Sequence, residues 1–137
     1  MPTADASTSR TILLVEDEKD LAYFVCEILR ALPAQVTVAQ NGSEAIDIIE
    51  TSPQFDLVLL DVVLPKVSGL EVLRRLRRIS PSTKVILSTG YASSFGAEDL
   101  TRLEISGFLG KPYAPEDLLA AARGALWPEK ESPPSER

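Results

Sequence analysis

The chain has 137 residues, of which 45% are hydrophobic and 25% are charged, a size and balance that suit one compact domain with a buried core. Its formal net charge is −6, which argues against a nucleic-acid-binding module because such modules usually carry a basic face. The chain has no histidine and one cysteine, so histidine-based catalytic triads, most zinc sites and a disulfide framework are excluded.

The first half of the chain alternates between strand and helix patterns. Residues 12–15 are a short apolar run that predicts a first strand, and helical spacing from residue 20 to 32 predicts a first helix, which a proline ends. Residues 35–39 alternate like a strand, and residues 43–51 carry apolar side chains on one helical face. A continuous apolar run then ends in Asp61, as is typical of a strand buried in a parallel sheet. The apolar residues of the first helix are Leu21, Phe24, Val25, Ile28, Leu29 and Leu32.

The second half continues the same alternation. A serine and a glutamate with the spacing of a capping box predict that a helix begins at Ser68. Residues 84–88 form a fourth apolar run, and residues 93–103 have a weaker helical pattern that contains a glycine. Residues 105–109 predict a short fifth strand, and residues 115–126 predict a last helix that begins with proline, a residue favoured at the first helical position.

Five strands alternating with five helices predict an α/β fold, a doubly wound five-stranded parallel sheet of the flavodoxin-like kind. We expect a domain over residues 11–127, a flexible lead over 1–10 and a polar, proline-rich tail over 128–137. No apolar stretch approaches the roughly 20 residues that cross a bilayer, and the lead lacks the apolar core of a signal peptide. We therefore expect a cytoplasmic protein that contacts no membrane.

Polar residues follow the predicted strands at the edge where ligands bind in open α/β sheets. Glu16 and Asp17 follow the first strand, Asp61 ends the third, Thr89 follows the fourth and Lys111 follows the fifth. Three carboxylates at one edge repel one another, since two unit charges about 4 Å apart interact by roughly 4 kcal/mol near a protein surface. A divalent cation would remove that cost, and oxygen ligands without histidine or cysteine favour Mg²⁺.

This set of groups suits phosphoryl transfer, in which a protein mainly positions and neutralises the reacting oxygens. Mg²⁺ can hold one equatorial oxygen, Lys111 a second and Thr89 a third, while the carboxylate of Asp61 acts as the nucleophile. Because the chain has no histidine, any phosphohistidine in such a reaction must belong to a partner.

Four segments, in this order and each at a predicted strand end, resemble the receiver domain of two-component response regulators. They are residues 15–18 (VEDE), 61–69 (DVVLPKVSG), 87–91 (LSTGY) and 108–112 (FLGKP). The resemblance extends from about Thr11 to Leu126. The family that the chain resembles includes receivers that stand alone and receivers of hybrid kinases, and the chain could be either.

The resemblance implies a role for each residue at the edge. Glu16, Asp17 and Asp61 would bind Mg²⁺ together with the backbone carbonyl of Val63. Asp61 would accept the phosphoryl group from a histidine kinase or a histidine phosphotransfer protein, with Lys111 assisting. Glu16 stands where aspartate is common, and its longer side chain could reach the metal through water.

The resemblance also implies a switch made of Thr89 and Phe108. Thr89 would move inward to bond the phosphoryl oxygens, and Phe108 would turn into the space that it leaves, so that the surface offered to a downstream protein target changes. The aromatic residue is Phe108 rather than tyrosine, so its rotation would report packing alone. On this view the chain is a signalling domain and not an enzyme, and it contacts no nucleic acid directly.

Two alternatives remain open at this point. The chain could be a degenerate receiver that binds partners without phosphorylation, although the complete set of Asp61, Thr89 and Lys111 argues against this. It could also be an enzyme, either a phosphatase that turns over an aspartyl phosphate or a flavin protein. A phosphatase of the haloacid type would need a second aspartate at the position of Val63, and a flavin site would need a phosphate-binding loop where Glu16 and Asp17 stand.

Overall fold

The computed structural model describes residues 9–51, 55–64, 67–89 and 104–128, with only the backbone described at Thr89. The predicted lead up to residue 8, the predicted helix at 93–103 and the tail from 129 lie outside the described residues. None of the helices in the described ranges is long and apolar enough to cross a membrane.

Five strands form one parallel sheet in the order β2-β1-β3-β4-β5. The strands are β1 (Arg10–Val15), β2 (Ala34–Ala39), β3 (Leu57–Asp61), β4 (Lys84–Thr89) and β5 (Gly107–Gly110). The described helices are α1 (Lys19–Leu29), α2 (Gly42–Thr51), α3 (Gly69–Ile79) and α4 (Pro115–Leu126). The chain starts near the middle of the sheet and winds outward in both directions, which confirms the predicted doubly wound fold.

Alternate residues of the inner strands point to the two faces of the sheet, as the two-residue period of a strand requires. Ile12 and Leu14 of β1 pack in the layer that contains α1 and α4. Leu13 and Val15 pack in the opposite layer, with α2 and α3. The sheet is therefore covered on both faces, which explains why β3 is apolar throughout until it reaches Asp61.

The structure corrects three details of the sequence analysis. Phe24 shares the helical spacing of the apolar residues of the first helix, but it is 47% exposed. The apolar stripe of this helix is wider than its contact with the sheet, which buries Ala22, Val25 and Leu29. The helix also ends at Leu29, because the next turn tightens to bring Leu32 into the core, and β5 begins at Gly107 instead of residue 105.

The first residues of the next helix lie against the end of β3. Ser68 caps α3, with its side-chain oxygen accepting a hydrogen bond from the backbone N–H of Glu71 at 3.2 Å, which confirms the predicted helix start. The next residue, Gly69, donates its N–H to the carbonyl oxygen of Val62 at 3.1 Å. A Cβ at Gly69 would collide with the Asp61 carbonyl oxygen and lie 2.8 Å from the Val62 Cα, so this close approach requires glycine.

Candidate functional site

The acidic residues meet because β1 and β3 are neighbours in the sheet. Glu16 and Asp17 follow β1, and Asp61 is the last residue of β3. The backbone N–H of Glu16 donates to the Ala39 carbonyl oxygen at 3.0 Å, so the ladder with β2 fixes its position. One carboxylate oxygen from each of the three acids lies within 4.8 Å of the others. The structure thus brings together the three side chains that the sequence analysis grouped.

Lys111 joins this cluster from the end of β5. Its Nζ lies 2.9 Å from Asp61 Oδ2 and 3.0 Å from Glu16 Oε1. The ammonium therefore contacts two carboxylates on two different strands. Charge-assisted hydrogen bonds of this kind are shorter and stronger than neutral ones.

The second oxygens of the two buried acids accept backbone hydrogen bonds. Asp61 Oδ1 accepts from the N–H of Val63 at 3.0 Å, and Glu16 Oε2 accepts from the N–H of Glu18 at 3.2 Å. Glu16 is 3% exposed and Asp61 is 5% exposed, whereas Asp17 is exposed. The cluster therefore has two fixed, buried carboxylates and one that faces solvent.

Burial and neighbouring charges shift the pKa values of Glu16 and Lys111. Burial raises the pKa of Glu16 above its ordinary value, with a further contribution from the charge of Asp61, against the lowering effect of the hydrogen bond from Lys111. Burial alone would lower the pKa of Lys111, but its hydrogen bonds to Asp61 and Glu16 and their charges raise it above its ordinary value. Lys111 is accordingly a cation at neutral pH.

The donor set fits a hard divalent cation. Three carboxylates and one ammonium leave an excess of negative charge, and the ligand atoms on offer are oxygens only. Such a set suits Mg²⁺, which takes one or two carboxylates and keeps several waters. Asp17 is exposed, so the cluster is open to solvent on that side.

The remaining predicted site residues are placed less completely. Thr89 ends β4 and pairs with Gly110, one position beyond the pairing of Asp61 with Ser88, but its side chain lies outside the description. Phe108 is partly buried and packs against the core layer of α2 and α3. The N–H of Val63 faces Asp61, and the metal contact of its carbonyl stays a prediction.

The sequence analysis missed the groove beside Lys111. This groove has a volume of about 360 Å³ and is bordered on its apolar side by Leu21, Phe24, Pro112 and Tyr113. Burial raises the pKa of the Tyr113 hydroxyl. The aromatic residue two positions after Lys111 was a usable signal, but only the structure shows that it lies against α1.

Comparison with known proteins places this geometry in a family. A family model described as the response regulator receiver domain matches residues 12–123, which is most of the chain. The chain belongs to this family. It is a receiver domain of the response regulators of two-component systems, and receiver domains are signalling domains.

Individual relatives agree with the family match. The receiver is 43% identical over 117 residues to an uncharacterized transcriptional regulatory protein, YkoG, of Bacillus subtilis (strain 168), covering 84% of this chain and 50% of that protein. It is 36% identical over 123 residues to the sensor kinase CckA of Brucella abortus (strain 2308), covering 89% of this chain and 13% of the kinase. The chain thus spans half or less of the length of these relatives.

Solved structures give the same result for the fold. The crystal structure of a CheY-like response regulator receiver domain protein from Methanospirillum hungatei JF-1 matches with a TM-score of 0.77 at 28% identity. The match covers 85% of this chain and 93% of that one. The flavodoxin-like receiver fold predicted from the sequence is therefore confirmed.

Proposed function

We propose that this receiver is a phosphoacceptor in which Asp61 takes a phosphoryl group from a partner's phosphohistidine, with Mg²⁺ bound beside it. One observation carries the proposal: the Lys111 ammonium lies 2.9 Å from Asp61 Oδ2, and Asp61 belongs to a three-carboxylate cluster. A buried carboxylate held by a fixed cation is suited to act as a nucleophile toward phosphorus. Because this chain has no histidine, the phosphohistidine would belong to a partner, which we propose is a histidine kinase or a histidine phosphotransfer protein.

The transfer itself balances without any further reactant. A carboxylate oxygen of Asp61 forms a bond to phosphorus, the phosphorus–nitrogen bond of the donor breaks, and the electron pair leaves on the donor's imidazole, which then takes up a proton. An ammonium has three donors, of which two are used by Asp61 and Glu16, so one remains for a phosphoryl oxygen. A bound Mg²⁺ would supply neutralisation of the charge that develops on the phosphoryl oxygens.

The cation would lie among Glu16, Asp17 and Asp61, with the Val63 carbonyl as a further ligand. These are the groups that the family resemblance assigns, and the assignment is supported by three carboxylate oxygens that lie within 4.8 Å of one another. All of these ligand atoms are oxygens, which Mg²⁺ prefers.

Phosphorylation would act as a switch through Thr89 and Phe108. A phosphoryl group adds negative charge and acceptor oxygens, and Thr89 would move to bond them. Phe108 would then turn, and the surface near β5 would present a different shape to a downstream protein target. Phe108 is partly buried and packs against the layer of α2 and α3. This position supports a switch in which rotation of Phe108 moves the side chains packed around it.

The same proposal extends to the location, the partners and the boundaries of the receiver. The receiver would act in the cytoplasm through protein contacts, without direct contact with nucleic acid or membrane. It would work either as a stand-alone receiver or as a segment of a hybrid kinase, and its domain would extend over residues 11–127.

Intact-protein mass spectrometry after incubation with acetyl phosphate tests the proposal. We expect the wild type to gain the mass of one phosphoryl group with Mg²⁺ and none with EDTA. Asp61→Asn is the matched control, because it keeps the side-chain size and removes the nucleophile. If the wild type gains no phosphate with Mg²⁺ present, the alternative of a degenerate receiver that binds partners without phosphorylation is the correct one.

A further inference from the structure

Arg77, in the last turn of α3, connects the segment before β4 with the segment before β5. We propose that Arg77 is a positioning residue that anchors the start of β5 and thereby holds Phe108 in the arrangement that it has before phosphorylation. The inference rests on the proposed function, because it adds a restraint to the switch that Phe108 would form. Arg77 was not among the residues that the sequence analysis assigned to the site.

The guanidinium of Arg77 contacts two segments that are far apart in the chain. Its Nη1 donates to the carbonyl oxygen of Thr83 at 2.9 Å, and its Nη2 donates to that of Glu104 at 3.0 Å. Thr83 directly precedes β4, and Glu104 lies three residues before β5. A guanidinium presents its N–H groups in a rigid, planar fork, so this one side chain sets the spacing between the two segments.

Thr83, at one end of this connection, is itself firmly held. It is 5% exposed, and its hydroxyl donates to the carbonyl oxygen of Phe55 at 3.1 Å and lies 2.6 Å from the Ser80 hydroxyl. Its backbone N–H donates to the Ser80 carbonyl oxygen at 3.2 Å. Thr83 is therefore a fixed point, and Arg77 holds Glu104 relative to it.

Glu104, at the other end, has an unusual backbone conformation. Its φ is 56°, and within the described ranges no other residue outside glycine has a positive φ. This left-handed region costs an L-residue conformational energy and persists where surrounding contacts enforce it. A hydrogen bond from a charged donor is stronger than a neutral one, so the contact from Arg77 to the Glu104 carbonyl is suited to enforce this conformation.

Strand β5 has few other restraints at its start. It has four residues, lies at the edge of the sheet, and pairs within the described sheet with β4 alone. The first bond of this pairing runs from the N–H of Ser106 to the carbonyl oxygen of Val85 at 2.8 Å, only two residues after Glu104. A change in the backbone at Glu104 should therefore loosen the start of β5.

Phe108, the second residue of β5, is close enough in the chain to respond to such a change. It packs in the core layer of α2 and α3, as do Ile79, two residues after Arg77, and Ile105, directly after Glu104. The anchor and the aromatic ring thus belong to one packed layer. Loosening the start of β5 would change the space available to the ring and so would favour other positions of Phe108.

Amide hydrogen exchange, followed by NMR without any phosphodonor, tests the anchor. We expect Arg77→Gln to raise the exchange rate of the Ser106 N–H about tenfold, since a hydrogen bond from a charged donor is lost. The amides of β2, at the opposite edge of the sheet, should keep their wild-type rates because β2 can open without disturbing Arg77. Equal increases in β2 and β5 would show a general loss of stability and contradict the proposal.

Two further variants complete the exchange experiment. Arg78→Gln is the matched control, because Arg78 is the exposed neighbour of Arg77 in the same turn of α3, and it should leave the Ser106 rate at the wild-type value. Arg77→Lys keeps the charge but replaces the fork by a single ammonium, so we expect a smaller increase than in Arg77→Gln. A wild-type Ser106 rate in both Arg77 variants overturns the proposal.

The ring signals of Phe108 provide a readout that a general loss of stability would not move. With labelled phenylalanine, and with Phe108→Leu to assign the signal, we compare unphosphorylated Arg77→Gln with wild type before and after acetyl phosphate. We expect the variant signal to lie part of the way toward the position in phosphorylated wild type, because releasing the anchor shifts a two-state equilibrium. A signal unchanged from unphosphorylated wild type in both Arg77 variants contradicts the proposal.

These results are separable from those of the proposed function. The carboxylate of Asp61 is held by Val63 and Lys111, so we expect Arg77→Gln to take up phosphate as wild type does. A failed exchange experiment would remove the anchor and leave the phosphoacceptor role of Asp61 intact. Conversely, if Asp61 took up no phosphate, the exchange rates would still decide whether Arg77 anchors β5.

Discussion

Individual backbone contacts hold Asp61 in place at the scale of single residues. Its carboxylate accepts from the Val63 N–H, and the N–H of Gly69 donates to the Val62 carbonyl. These contacts fix the chain on the C-terminal side of Asp61. The orientation of the carboxylate therefore depends on uncharged backbone groups as well as on the Lys111 ammonium.

Gly69→Ala tests the close approach behind Asp61. No described glycine has a positive φ, so the cost of the added methyl group is collision with the Asp61 and Val62 backbone. We expect a loss of about 1–3 kcal/mol in unfolding free energy, measured by urea denaturation, with slower uptake of phosphate from acetyl phosphate. Gly124→Ala is the matched control, because a Cβ there meets nothing within 4 Å and should stabilise α4 by up to about 1 kcal/mol.

Val63→Asn tests what limits the lifetime of a phosphorylated Asp61. Val63 is 56% exposed and lies two residues past Asp61, but its apolar side chain cannot orient an attacking water. Tyr91, two residues past Thr89 and outside the described residues, is neither an acid nor an amide that could orient such a water, so we expect slow self-dephosphorylation. The asparagine variant should lose its phosphate several-fold faster in a decay time course, because an amide can position water.

Tyr23→Asn serves as the control for Val63→Asn, since Tyr23 is an exposed residue of α1. It adds the same amide to the surface and should leave the decay rate at the wild-type value. Equal decay rates for wild type and Val63→Asn would contradict the explanation.

At the scale of elements, α3 begins directly after the segment that follows Asp61. Its first turn is capped by Ser68, which accepts from the Glu71 N–H at 3.2 Å, and Glu71 adds an acidic residue at the positive end of the helix. Ser68→Ala should lower the unfolding free energy by about 1 kcal/mol, measured by chemical denaturation. Ser43→Ala is the matched control. Ser43 is exposed and lies in α2, which Asn41 caps, so we expect this substitution to change the unfolding free energy little.

Helix α1 carries the single cysteine of the chain. Burial raises the pKa of the Cys26 thiol above its ordinary value of 9.0, with a further contribution from the charge of Glu27. The pKa of the thiol is higher in the folded state than in the unfolded state. The contribution of the neutral thiol to the unfolding free energy is therefore present below about pH 9 and is lost as the pH rises through the folded-state pKa. Iodoacetamide should alkylate the native protein more slowly than the urea-unfolded protein at pH 9, since the thiolate reacts. Equal rates would contradict a raised pKa.

At the scale of the whole molecule, the fold could be predicted because its two periodicities are strong. Buried runs such as that of β3 and helical spacings such as that of α4 give element types and order, and parallel connections then restrict the topology. The convergence of Glu16, Asp61 and Lys111 follows from the same rule, since the carboxyl ends of parallel strands share an edge.

The parts that the sequence could not provide depend on side-chain placement across elements. Periodicity identifies the apolar stripe of α1 but not how much of it the sheet covers, so it does not reveal that Phe24 is 47% exposed. The contact of Lys111 with Glu16 depends on a side-chain path across intervening strands. The groove beside Tyr113 arises where α1 approaches the residues after β5, and no local pattern encodes such an approach.

The most direct test of the account is to identify the residue that carries the phosphoryl group. The protein is incubated with acetyl phosphate and Mg²⁺, the acyl phosphate is reduced with borohydride, and the modified peptide is sequenced by mass spectrometry. We predict that the aspartate at position 61 is converted to homoserine and that Asp17 and Asp56 stay unmodified. Modification at another carboxylate, or at none, would contradict the claim that Asp61 is the phosphoacceptor.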